Sequence, residues 1–219
     1  MDHRSVNRKP VRLRRLLLAI PLFIATFPSV ATSVRQFSFA ELNNRASLIF
    51  EGKVLAVQAR EDGLGGGIGT YVLIHVLDRL KGPEVGSEVE LRFSGGTVAG
   101  RTLQFADMVI PKVGENGVYF VESLDAYQIN PLVGWSQGHF IERMDTQTGL
   151  RKIYTPDGRA VLGLGHQSRG QEQKVLSGSD GTVSDIQVAN KKGQSSHAVS
   201  STDFKALIRR NTALRGSRQ

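Results

Sequence analysis

The chain has 219 residues, a formal net charge of +8 and no cysteine. That length suits one ordinary domain with extensions and a sizeable core, and the missing cysteines exclude disulfide frameworks, thiolate metal sites and cysteine nucleophiles. Residues 1–31 hold six Lys/Arg against one acid and residues 190–219 hold seven against one, which leaves the intervening body at −3 and excludes a nucleic-acid footprint across it.

Residues 1–31 read as a secretory signal peptide. Arg4, Arg8, Lys9, Arg12, Arg14 and Arg15 form a basic head, Leu16–Phe27 a short apolar stretch, and Pro28–Ser33 a run of small residues with cleavage sites after Ala31 or Ser33. A spanning helix needs about 20 apolar residues, more than this proline-interrupted run supplies. The chain is therefore expected in the periplasm or medium, with an uncleaved membrane anchor as the competing reading. Arg14-Arg15 leaves both general and twin-arginine export open.

A β domain is expected over 32–165. Phe37–Arg45 reads as a short helical lead-in, and Leu48–Ala59 as the first strand with Gly52 at a bulge or close approach. The glycine-rich run Gly63–Gly69 lacks the spacing of a phosphate cradle and precedes a strand rather than a helix, so it reads as a connection. Tyr71–Leu77 is apolar on both faces, whereas Val89, Leu91 and Phe93 alternate with Glu88, Glu90 and Arg92; together they form a central hairpin. Glu61-Asp62, Glu88 and Glu90 read as solvated positions. Further strands are expected at Arg101–Phe105, Val118–Glu122 and Ala160–Leu164. His139–Met144 and Leu150–Tyr154 form an extra hairpin with Gly149 in the left-handed region.

Gly165–Ser201 turns to Ser, Gly, Gln and Lys, which predicts a disordered linker over 166–200. A short amphipathic helix follows over 201–214, capped by Ser201 or Thr202, with Phe204, Leu207, Ile208 and Asn211 on one side. Those apolar side chains are expected to dock on the domain or a partner. Adsorption to an anionic membrane is the competing use of the flanking arginines.

One catalytic motif occurs. Gly134-Trp135-Ser136-Gln137-Gly138 is a literal G-x-S-x-G, with Asp157 and His166 as the only compact acid and histidine to complete a triad. Its context argues against a serine hydrolase: Pro131 interrupts the preceding segment, and a short strand follows where the elbow needs a helix. Trp135, His139 and Phe140 form a candidate binding surface. The five histidines show no metal-ligand spacing, and no cofactor motif is present.

The runs Ala46–Val54, Thr70–Gly82 and Gly114–Val121 resemble exported bacterial proteins whose domain is similar to the netrin-like, TIMP-like (tissue inhibitor of metalloproteases) OB-barrel. The resemblance covers about residues 40–125. It implies a mainly β, OB-like five-stranded Greek-key barrel used for binding. Inhibitors of that superfamily present an N-terminal Cys-x-Cys to a protease zinc, and this chain has no cysteine, so that mechanism does not carry over. The expected function is a non-catalytic exported binding or accessory module whose partner is another exported protein. The alternatives are a serine hydrolase at Ser136 and a membrane-anchored envelope protein.

Overall fold

A central strand must be apolar on both faces, and β7 (Asn116–Val121) shows how this chain achieves it. Val118 and Phe120 enter one core, while Tyr119 and Val121 enter the other. In the computed structural model, which describes residues 33–63, 67–106, 108–164, 175–177, 183–190 and 197–216, the fold is mainly β. Residues 1–31, expected to be a signal peptide, and His166 lie outside the described residues.

The elements in chain order are β1 (Ser33–Arg35), α1 (Phe39–Arg45), β2 (Leu48–Glu61), β3 (Ile68–Lys81), β4 (Glu88–Ser94), β5 (Gly96–Val98) and β6 (Arg101–Leu103). After β7 come a 3-10 turn at Trp135–Gly138, β8 (His139–Met144), β9 (Arg151–Tyr154), β10 (Val161–Leu164), β11 (Val175–Ser177), β12 (Ile186–Val188) and α2 (Ser201–Gly216). Six of the strands form one antiparallel sheet in the order β4-β3-β2-β7-β8-β9. Short pairs β1–β11, β5–β6 and β10–β12 flank it. The expected strands and the extra hairpin β8–β9 are present, and Gly149 takes φ +68° at its turn. Gly52 sits at a register shift between β2 and β3, where an added Cβ would lie 2.5 Å from the Ile74 side chain.

The sheet does not close into a barrel. Its outer strands are β4 and β9, and they do not pair with each other. Two helices take the place of closure: α1 and α2 lie on one face, where Phe39, Leu42, Phe204 and Ile208 pack with Ile49, Phe120, Phe140 and Ile153. Loops cover the opposite face, with Leu132, Met108 and Ile110 against Phe50, Ile74, Leu91 and Phe93.

The segment expected as a disordered linker contributes to this core. Val183 and Ile186 are buried beside α1 and α2, β12 pairs with β10, and β11 pairs with β1. Isolated apolar residues give no local periodicity, yet Val183 and Ile186 fill gaps that the rest of the fold has already shaped. The cap of α2 also shifts. Ser200 supplies it, its Oγ accepting from Asp203 N at 3.1 Å, while the Ser201 hydroxyl turns inward to donate to Glu142. The apolar side of α2 is thus buried in its own domain as expected, with Leu207 partly covered. α1 begins with a capping box, Ser38 Oγ accepting from Glu41 N and the Glu41 carboxylate accepting from Ser38 N.

Candidate binding surface

The G-x-S-x-G segment is a structural corner. Gly134 and Trp135 both adopt positive φ, near +60° and +59°, which turns the chain after the Val121–Leu132 bridge. Gln137 is buried and staples the corner to the N-terminal segment, accepting from Phe37 N at 2.8 Å and donating to Arg35 O at 2.9 Å. A Cβ on Gly138 would meet Val133 O at 2.6 Å, so that position must be glycine for close approach. Ser136 is 2% exposed, and β8 rather than an α-helix follows. A nucleophile elbow instead holds its hydroxyl open to substrate. Asp157 is engaged locally, accepting from Thr155 Oγ1 and from Arg159 Nε at 2.6 Å.

Of the three residues expected at a binding surface, only Trp135 is partly exposed; His139 and Phe140 are buried. Phe140 packs on Phe120 and Phe204. His139 Nε2 lies 2.6 Å from Glu115 Oε1, and its ring stacks on Tyr119, whose hydroxyl donates to the same carboxylate at 3.3 Å. Burial pushes the Tyr119 phenol well above its ordinary value, and the Glu115 carboxylate adds to the shift. β8 is an inner strand whose His139–Phe140 end is buried on both faces, so its histidine is a core residue with a carboxylate partner. A polar side chain there gives the sequence no sign of that burial.

Two charged constellations escaped the sequence. The first fastens α2 to the sheet. Lys205 bridges Glu51 at 2.5 Å and Asp78 at 3.1 Å, Arg209 grips Asp78 with two bonds of 2.7 and 2.8 Å, and Arg151 reaches both Glu51 and Glu142. Burial raises the carboxyl pKa of Glu142, and neighbouring Glu51 reinforces this, against the opposing Ser201 hydroxyl and Arg151. Burial works against the charge on Lys205, but its hydrogen bonds to Glu51 and Asp78 outweigh that and raise its pKa. Three anions meet three cations, so the cluster is internally neutral. It borders a 420 Å³ cleft at the start of α2.

The second constellation lies on the outer face of β2, β3 and β4. Asp62, expected to be solvated, is buried and receives Arg92 Nε at 2.7 Å, with Nη2 bound to the same oxygen. Arg92 also donates to Ser94 Oγ, to Gln128 O at 3.0 Å and to Tyr127 OH at 2.8 Å, and its guanidinium lies 4.0 Å from the Tyr127 ring centroid. Tyr71 pairs across the strands with Arg92, and Arg60 stacks 3.4 Å over the Tyr71 ring while bridging Glu90 at 2.6 Å. Two stacked Arg–Tyr pairs therefore stand side by side, with the Tyr127 ring 56% exposed. The signal that could have found them is the composition of the outer positions: Arg60, Tyr71 and Arg92 all fall where a solvated face needs neither rings nor forks. Beyond the end of β4, a 660 Å³ cleft opens between Gly95–Thr97 and Phe105, Met108 and Ile110, and the described residues that line it are uncharged.

Comparison of the chain with protein-family models, with curated proteins and with solved structures finds no match.

Proposed function

We propose that the protein is an exported, non-catalytic binding module that holds another envelope or secreted protein through the face formed by Arg60, Tyr71, Arg92 and Tyr127. The carrying observation is the pair of stacked Arg–Tyr contacts, in which Arg60 and Tyr127 are exposed while Tyr71 and Arg92 are partly buried beneath them. Tyrosine and arginine dominate interface hot spots because each buries a large area with few rotors and retains polar contacts. Arg92 is already fixed by Asp62, Ser94, Gln128 and Tyr127, so binding would cost little further ordering. Export follows from the reading of residues 1–31. The strand order β4-β3-β2-β7-β8 supports kinship with the OB-like Greek-key barrel, as the order of such a sheet opened at its closing contact.

Site-specific photo-cross-linking tests the reading. A photoreactive amino acid at position 127, introduced in cells that export the protein, is expected to give a discrete protein adduct that Arg60→Ala weakens. The same group at Leu214, on the exposed side of α2, is expected to give none. Adducts from position 214 but not 127, or from neither, would overturn the assignment.

A further inference from the structure

The two edges of the sheet differ. At β9 the outer edge is already occupied, since Ile153 N donates to Val199 O at 3.0 Å and Lys152 bridges Ser200. At β4 the backbone directions follow from the bonds around it. Val76 N donates to Ser87 O, and Gly95 N donates to Ile68 O, so odd-numbered positions here face β3. Ser94 N donates the other way, outward to Ile129 O at 2.8 Å. Successive residues of a strand alternate in this respect, which directs the N–H and C=O groups of Glu88, Glu90 and Arg92 away from the sheet. Ser123–Gln128 stands off that edge as a lip, leaving a groove of about 150 Å³ lined by Glu90, Leu91, Arg92, Leu124, Tyr127 and Pro131.

We propose that this groove takes one extended peptide segment of a partner, which adds to β4 as a new edge strand. The proposal rests on the binding-module reading and names the partner's form at that same face. Outward-facing backbone groups spaced two residues apart are complemented by another extended backbone, the basis of strand-addition recognition. Ile129 already makes the first such bond at Ser94, and the open positions continue from there. A second copy of the chain fits less well. Pairing two β4 strands over 88–92 sets Glu90 against its twin, a destabilising like-charge contact, and brings the two lips together. A single segment enters beside one lip.

Charge defines the segment further. Glu90 and Asp125 are exposed at the groove, whereas Arg92, the one cation among the described residues that line it, is held by Asp62. The Arg60–Glu90 pair is exposed on both sides, a kind of contact that is readily re-paired. The matching segment therefore carries lysine or arginine at alternate positions.

The test uses the mature protein and a blocked eight-residue peptide alternating lysine and valine, with a twin N-methylated at every amide so that neither edge can donate. The twin keeps the charge but cannot build a ladder. The unmodified peptide is expected to slow amide exchange at Glu90 and Arg92 about tenfold, as gained backbone hydrogen bonds should, and the twin to leave it unchanged. Glu90→Pro removes one outward donor without touching the bonds to β3, and edge strands tolerate proline there. It is expected to preserve the melting transition and to weaken peptide binding about tenfold, the scale of one lost hydrogen bond. Equal binding of the twin, or peptide binding with Glu90 and Arg92 exchanging as before, would overturn strand addition while leaving the cross-linking result at position 127 to stand separately. Protection of both amides without peptide would also overturn it, naming a second copy if the protection depends on concentration and the chain's own undescribed segments if it does not.

Discussion

Replacing Phe204 by alanine tests whether α2 is a structural part of the domain. Its ring is 1% exposed and lies 5.6 Å from the Phe39 centroid and 4.8 Å from that of Phe140. The lost transfer free energy of the ring is about 1.5–3 kcal/mol. The residual cavity raises the cost, because Phe39, Phe120 and Phe140 are tied to α1, β7 and β8 and collapse only partly; buried Phe→Ala changes cost about 3–5 kcal/mol. In a domain of this size that corresponds to a fall of roughly 6–20 °C in midpoint. Leu214→Ala, on the same helix at 66% exposure, is the control and should change stability by less than about 0.5 kcal/mol. Urea and thermal unfolding of both variants, with m-values compared, gives the numbers. A Phe204→Ala loss below about 1 kcal/mol would mean that the helix is not docked, and the packing argument fails.

Lys205→Met removes the shared partner of Glu51 and Asp78, leaving a buried carboxylate under-compensated. A loss of about 2–4 kcal/mol at neutral pH is expected, and a variant as stable as wild type would refute the role of the cluster. Because the folded pKa of Lys205 is raised, its contribution is fully present below the ordinary value of 10.5 and is lost as pH rises through the folded value, so wild type should lose stability there and Lys205→Met should not. Glu142 is a carboxyl with a raised folded pKa: its contribution is full below the ordinary 4.5 and is lost as pH rises through the folded value. Glu142→Gln keeps an acceptor for Ser201 and should flatten that limb of a melting-temperature profile; parallel profiles would count against it. Ser136→Ala, which removes a buried hydroxyl, should cost about 1 kcal/mol, and wild type should take no label from a fluorophosphonate probe; labelling that disappears in the variant would restore the hydrolase reading.

Alternation made the strands legible, because one strand's period-2 pattern is a local property. β8 can be read to the residue, since the turn chemistry of Asp145–Gly149 brackets it. Closure was not legible. Whether the sheet meets itself depends on what reaches its edges, and the segment that covers β9 comes from Val199 and Ser200, about fifty residues further along the chain. The charged constellations were hidden for the same reason. Asp62 and Arg92 are thirty residues apart, and Lys205 and Glu51 more than one hundred and fifty, so neither pair leaves a spacing to recognise. His139 and Phe140 misled differently. A polar and an aromatic residue adjoining a tryptophan suggest a surface, but at this end of an inner strand both faces are interior and the polar ring simply finds Glu115.

The placement of the stabilising devices bears on where function lies. The helices, the aromatic cluster around Phe204 and the neutral charge cluster gather on one face across β2, β3, β7, β8 and β9, and the segment at Val199 covers the β9 edge. The β4 side has none of these: its edge is open along Glu88–Arg92, and its outer surface keeps stacked guanidiniums and rings. Burying Asp62 under Arg92 has a desolvation cost that a purely structural surface would avoid with neutral residues. What the pair achieves is orientation, since it holds the guanidinium over the Tyr127 ring beside the groove. A rigid, mostly buried fork beside an exposed ring, next to outward-facing backbone, contributes little to folding. It is the arrangement that an extended partner would require before it arrives.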